Sequence, residues 1–200
     1  MAETKSILLV GVGGQGTILA SNILATGLVE AGYDVKVSEI HGMSQRGGSV
    51  STQIRYGDKV HSPIIGKGQA DILVAFEAME ALRYLEFLKP EGKVVVNAYK
   101  IPSAPILMGK ADYPEGIIEL LKEKAATSVI DAAKIALDLG NAKVMNVVLL
   151  GALVKAMALN HIDWEEVIKN TVKKEFIDIN IKAFREGMAA VSEDSALVEA

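Results

Sequence analysis

The chain has 200 residues, of which half are hydrophobic, a formal net charge of −4 and no cysteine. That length suits one domain of ordinary size with a sizeable core and no need of staples. The missing thiols exclude a disulfide framework, iron–sulfur clusters and thiolate zinc sites carried by this chain, and mild negative charge without a basic stripe removes the main electrostatic term of nucleic-acid binding.

Residues 7–10, Ile-Leu-Leu-Val, read as a short parallel strand buried on both faces. The run ends at a glycine and is too short for the apolar region of a signal peptide. After the glycine-rich turn, Leu19, Ile23, Leu24, Leu28 and Ala31 recur at helical spacing, and Ala20, Ala25 and Gly27 allow close approach to a sheet. Gly32 stands where a left-handed cap ends such a helix. A second strand spans residues 34–40, with Val35 and Val37 alternating against Lys36 and Ser38. Residues 41–48 are too polar and too rich in glycine for regular structure and form a loop.

Residues 49–56 alternate cleanly, Val50, Thr52, Ile54 and Tyr56 sharing one face. Gly57-Asp58 then reads as the turn of a hairpin whose return strand is residues 59–61, so the sheet is expected to be mixed. Further strands are expected at 72–76, 94–96 and 127–130, and helices at 78–88, 116–125 and 131–139. Residues 89–92 close the first of these helices, and Gly140-Asn141 cap the last. Residues 101–109 hold two prolines and read as an extended connection or an edge strand. From residue 144 the chain looks wholly helical. The segment 144–159 is apolar almost all round, so it is deeply buried or packed against another subunit. Broken by Asn146 and Lys155, it falls short of the roughly 20 residues a membrane span needs. Asp163 and Glu166 form a capping box for a helix over 164–173, and a last helix covers 178–191.

These elements predict one α/β domain over residues 1–200. It is three-layered and Rossmann-like, its sheet mixed but mostly parallel with an antiparallel hairpin, and its helical segment 144–191 packs on it. A cytoplasmic protein with neither membrane nor nucleic-acid partners is expected.

Gly11-Val12-Gly13-Gly14-Gln15-Gly16 matches G-x-G-x-x-G between strand and helix, where free amides attract phosphate. Two readings stand: a dinucleotide whose ribose meets Glu39, or a turn that needs glycine for packing and holds no nucleotide. Arg46 beside Gly47 and Gly48 sets a guanidinium next to backbone amides, a receptor for phosphate or carboxylate; the alternative is a surface turn with a solvated arginine. Of three histidines only His41, at a strand end beside that loop, is a plausible site residue. His61 and His161 read as surface residues, and none has ligand-like spacing to a metal. For Glu77, which follows a buried strand and opens a helix, stabilisation by the helix dipole suffices. The chain has no Tyr-x-x-x-Lys pair, no Gly-x-Ser-x-Gly elbow and no P-loop. A Rossmann-like body without its own catalytic set suggests a subunit.

Leu8-Leu9-Val10-Gly11-Val12-Gly13-Gly14-Gln15-Gly16, followed by Ser38-Glu39-Ile40-His41-Gly42-Met43-Ser44-Gln45-Arg46-Gly47-Gly48, resembles the small, gamma-type subunit of 2-oxoacid:ferredoxin oxidoreductases. The lead-in to Arg-Gly-Gly is most similar to the indolepyruvate branch, the beta subunit. The resemblance continues through residues 70–77 and 146–153. It implies a heteromeric enzyme that oxidatively decarboxylates an aryl pyruvate with coenzyme A, giving an arylacetyl-CoA, carbon dioxide and reduced ferredoxin. It also implies that thiamine diphosphate and the iron–sulfur clusters sit on a large partner subunit, that ferredoxin is met through the complex, and that this chain itself holds no cofactor. Pyruvate, 2-oxoisovalerate and 2-oxoglutarate enzymes remain as alternatives, as do a freestanding NAD(P)-dependent oxidoreductase, a nucleotide-sensing module, and a homodimer when the chain is isolated. Candidate contacts to coenzyme A or the substrate carboxylate are Gly13, Gly14, Gln15, Gly16, His41, Gln45, Arg46, Gly47 and Gly48.

Overall fold

The structure, a computed structural model, describes residues 3–41 and 47–191. Six strands form one sheet in the order β2-β3-β1-β4-β5-β6. They are β1 (Lys5–Val12), β2 (Asp34–His41), β3 (Ser49–Gly57), β4 (Ala70–Ala75), β5 (Leu88–Asn97) and β6 (Ala126–Ile130). β1, β4, β5 and β6 are mutually parallel, while β3 runs antiparallel to both β1 and β2. The mixed sheet expected from the sequence is therefore present, with a different hairpin. β2 and β3 pair across the polar loop, and residues 59–61 are not a strand. With β1 on one edge of β3 and β2 on the other, no edge is left for them. Instead Val60 donates its amide to Asp34 and Ile65 to the Gln53 side chain, laying this segment over one face of β3.

Alternation along the central strands divides the core. Ile7, Leu9, Ile54, Ile72, Val74 and Val95 face one layer of helices, and Leu8, Val10, Leu73, Ala75, Val94 and Val96 face another. The first layer holds α1 (Thr17–Glu30); the second holds α2 (Ala78–Tyr84) and, beyond the short α3 (Ala104–Leu107), α4 (Ile117–Lys124). α5 (Ala132–Asp138), α6 (Met145–Ala156), α7 (Trp164–Thr171) and α8 (Ile177–Ala189) complete the first layer.

α1 ends at Gly32 as its sequence implies: φ is +89°, and the amides of Gly32 and Tyr33 return to the carbonyls of Val29 and Leu28. Ala31 is exposed rather than part of the buried face, because the helix has already closed there. Gly27 admits the Trp164 ring of α7, not the sheet; a Cβ at this position would overlap the indole. Residues 89–92 lie within β5 instead of closing α2. They form an irregularity against β4, and α2 gives way at Leu85 to one 3₁₀ turn. Residues 101–109 are neither wholly extended nor an edge strand. They include α3, with proline at its start, where the missing amide has no helical partner to lose.

α6 is core. Every residue from Asn146 to Val154 is buried, chiefly against α8, β5 and α5, which resolves the choice between burial and a subunit contact for this part of the apolar segment. Gly151 and Gly187 let the backbones of α6 and α8 touch: a Cβ on either would strike the carbonyl oxygen of Phe184 or Val148. Asp163 caps α7 by accepting from the Glu166 amide at 3.1 Å, while the Glu166 carboxylate turns to Lys169 and Asn170. Among the described residues no helix is long and apolar enough to cross a membrane.

Candidate functional site

The ladder between β1 and β3 runs past the strand ends into the two glycine-rich segments. The Gly13 amide donates to Gly48 at 2.8 Å, and the Gly47 amide to Gly13 at 3.2 Å. Motifs more than thirty residues apart are thereby joined backbone to backbone at the carboxyl end of β1.

Gly16 is the N-cap of α1 and sits at φ +78°, a conformation costly for any residue with a Cβ. A Cβ there would also lie 2.6 Å from Asn146 Nδ2, which donates to the Gly16 carbonyl at 3.0 Å. No side chain caps α1, and the first-turn amides of a helix have no intrahelical partner. They open, with the positive end of the helix dipole, onto a cavity of about 340 Å³. One wall is Gly13, Gly14, Gly16, Thr17 and Ile18; the other is Glu39, Ile40 and His41 of β2 with Val50, Ser51 and Thr52 of β3. Ser21 Oγ lies 2.9 Å from the Ile18 carbonyl and 3.2 Å from Glu39 Oε1, its one proton shared between the helix and that carboxylate beside α1.

Gln15 faces elsewhere. Its Oε1 accepts from the Val12 amide and its Nε2 donates to the Phe76 carbonyl, both at 2.8 Å, so the side chain closes the turn and ties it to the end of β4. Fully buried Asn97 gives the same carbonyl a second donor at 3.1 Å and accepts from the Ala132 amide. A lattice of side-chain amides thus supports the loop from beneath.

Of the residues chosen from sequence, Gly13, Gly14, Gly16 and His41 line one cavity, and Gly47 and Gly48 adjoin it through the backbone. Gln45 and Arg46 lie outside the described residues. His61 and His161 are exposed, the latter 3.4 Å from the Tyr33 hydroxyl. Ser21 and Asn146 carry no local signal of a site because Glu39 and Gly16 reach them from other elements, and Thr52 joins the cavity only through the strand order.

Glu77 does cap α2, accepting from the Glu80 amide at 3.0 Å, but the dipole is only part of its support. The fully buried carboxylate also takes the Ile101 amide at 3.1 Å and the Tyr113 hydroxyl at 2.5 Å. Burial first, and then that bond to Glu77, hold the Tyr113 phenol well above its ordinary range. Buried Glu80 accepts from the hydroxyl of Ser49, the first residue of β3, and so fastens the foot of the Arg-Gly-Gly segment to α2. Among the described residues no group of three His, Asp or Glu side chains could hold a metal ion.

Residues 6–190 match the family described as pyruvate ferredoxin/flavodoxin oxidoreductase. The chain belongs to that family. It is 41% identical over 196 residues to the indolepyruvate oxidoreductase subunit IorB of Pyrococcus horikoshii, covering 94% of this chain and 96% of the relative. It is 33% identical over 183 residues to the common subunit gamma of the pyruvate/ketoisovalerate oxidoreductases of Pyrococcus furiosus, covering 88% and 91% of the two chains. Its fold superposes on the pyruvate oxidoreductase subunit PORC of Thermotoga maritima with a TM-score of 0.71 at 26% identity, over 94% of this chain and 96% of that one.

Proposed function

We propose that this chain is the cluster-free small subunit of a heteromeric oxidoreductase acting on indolepyruvate and related aryl 2-oxoacids. The reaction releases carbon dioxide, transfers the arylacetyl group to the thiol of coenzyme A and passes two electrons to ferredoxin. The observation that carries this reading is the higher identity, over nearly the whole of both chains, to the indolepyruvate oxidoreductase subunit than to the common gamma subunit.

Iron–sulfur clusters do not fit this chain, which has no thiolate to ligate one. They belong with thiamine diphosphate to a large partner subunit, where the coenzyme supplies the carbanion chemistry of decarboxylation. What this chain contributes is a cradle for an anion, the phosphate of coenzyme A or the carboxylate of the 2-oxoacid. The open amides of α1 form its floor, and Arg46 is covalently joined to Gly47, itself bonded to Gly13. Because the Pyrococcus furiosus relative is common to two oxidoreductases, the choice of 2-oxoacid is assigned to the partner rather than to this cradle.

The test is reconstitution with the large subunit and measurement of ferredoxin reduction dependent on indolepyruvate and coenzyme A. Neither subunit alone is expected to turn over, and indolepyruvate should outrun pyruvate, 2-oxoisovalerate and 2-oxoglutarate in kcat/KM. A large subunit indifferent to this chain overturns the reading, and a preference for pyruvate moves it to the pyruvate branch. Arg46→Ala should raise the apparent KM for coenzyme A or the 2-oxoacid about tenfold or more, as loss of a charge-assisted contact does. Two unchanged KM values would remove Arg46 from the cradle.

A further inference from the structure

The cavity beside α1 has a second half that an anion alone does not use. Thr52 and Thr17 are 3% and 8% exposed and both line it, yet neither hydroxyl has a hydrogen-bond partner among the described residues. Neither oxygen is among the described side-chain atoms that are sealed from solvent without a partner, so on two nearly buried residues each hydroxyl keeps an opening toward the cavity, where a ligand's polar atom can meet it.

Their positions specify that ligand further. Thr52 is the register partner of Leu9 on one side and of Glu39 on the other, so it shares with Glu39 the sheet face on which α1 lies. Ser21, whose hydroxyl lies 3.2 Å from Glu39 Oε1, is four residues from Thr17, about 6 Å along the helix. The cavity is therefore positive at the first amides of α1 and carries an acceptor carboxylate with a nearby hydroxyl one helical turn away. Ile18 and Val50 supply apolar wall between them. A 5′-phosphorylated ribose spans such a pair, its phosphate on the amides and its hydroxyls on a carboxylate.

We propose that this cavity binds a nucleoside 5′-phosphate with a free 2′,3′-diol, the phosphate on the amides of Thr17 and Ile18 and the diol on Glu39 and Thr52. The inference rests on the anion-cradle reading of the glycine loop and adds a selectivity to it. A 3′-phosphate would face the Glu39 carboxylate, so the 3′-phosphorylated adenosine of coenzyme A is refused here. Coenzyme A then meets the loop without its adenosine lying along α1.

The test titrates the full chain with inorganic phosphate, 5′-AMP and adenosine 3′,5′-bisphosphate while the backbone amide resonances of Thr17 and Ile18 are followed. Phosphate and 5′-AMP should both move these resonances. 5′-AMP should bind about tenfold tighter than phosphate, through hydrogen bonds to a charged acceptor, and about tenfold tighter than the bisphosphate. Glu39→Gln should narrow both gaps, and Thr52→Val should weaken 5′-AMP while leaving phosphate unchanged. Equal binding of phosphate and 5′-AMP, or of 5′-AMP and the bisphosphate, overturns the diol site and leaves the anion cradle standing. No movement of Thr17 and Ile18 with any of the three overturns the cradle as well. The reconstituted oxidoreductase assay stands apart from either result.

Discussion

Gln15 stands at the centre of the glycine motif, and the structure makes it a clamp rather than a free ligand donor. Gln15→Ala removes the acceptor of the Val12 amide and one of the two donors to the Phe76 carbonyl. Val12 is 8% exposed, so its amide becomes a nearly buried donor without a partner, at about 1–3 kcal/mol. The lost bond to Phe76 adds about 1 kcal/mol, since Asn97 still serves that carbonyl. A total of about 2–4 kcal/mol corresponds, for a chain of this size, to a fall in Tm of roughly 5–15 °C.

Gln15→Glu separates the two bonds. Its carboxylate still accepts from Val12 but turns an oxygen toward the Phe76 carbonyl, where a donor stood. The repulsion disfavours the ionised form, so the folded-state pKa of this glutamate rises above its unfolded value of about 4.3. Stability relative to wild type is then best below that unfolded value and is lost as pH rises through the folded one. Thermal melts of both variants from pH 4 to 8, with hydrogen exchange at the Val12 amide, measure these effects. A Gln15→Ala protein within about 0.5 kcal/mol of wild type, the scatter of ordinary surface substitutions, would refute the clamp and return the side chain to the ligand.

Gly187→Ala sets a Cβ onto the Val148 carbonyl oxygen and 2.7 Å from its carbon, forcing α6 and α8 apart. Despite a gain in helix propensity of up to about 1 kcal/mol, urea unfolding should show a net loss of about 2 kcal/mol; a stabilised variant would mean that the helices do not touch there. Gly27→Ala should push back the indole of Trp164, the only tryptophan, and appear as a changed emission maximum with a lower Tm; an unaltered spectrum would contradict the contact. Burial raises the phenols of both Tyr56 and Tyr113, so their contribution is whole below the unfolded pKa of about 10 and is lost above it. Unfolding free energy should fall above that pH by up to about 2.7 kcal/mol per pH unit for the pair. Tyr113→Phe should make that decline shallower, and an unchanged slope would show that Tyr113 titrates normally in the folded protein.

Local chemistry wrote much of the fold plainly. Residues 7–10 and 72–76 are apolar on both faces because a central strand of the sheet is covered on both sides, whichever way its neighbours run, and that demand needs only the strand's own side chains. The caps at Gly32 and Asp163 and the glycine turn ahead of α1 depend on backbone conformation within a few residues, so single positions announce them. The candidate site was legible to the same depth: Gly13, Gly14, Gly16 and His41 could be chosen as residues, but not what surrounds them. Tertiary structure decided that β3 enters between β1 and β2, which removed the return strand read at 59–61. It also turned Gln15 away from the cavity, set Asn146 under Gly16 across 130 residues of chain, and brought Glu39 to Ser21. Strand order and long-range side-chain bonds leave no periodic trace, because each partner looks ordinary in its own segment. The apolar segment from residue 144 shows the boundary most clearly: its composition demanded burial, and only the packing of α8 and β5 around α6 determined what buries it.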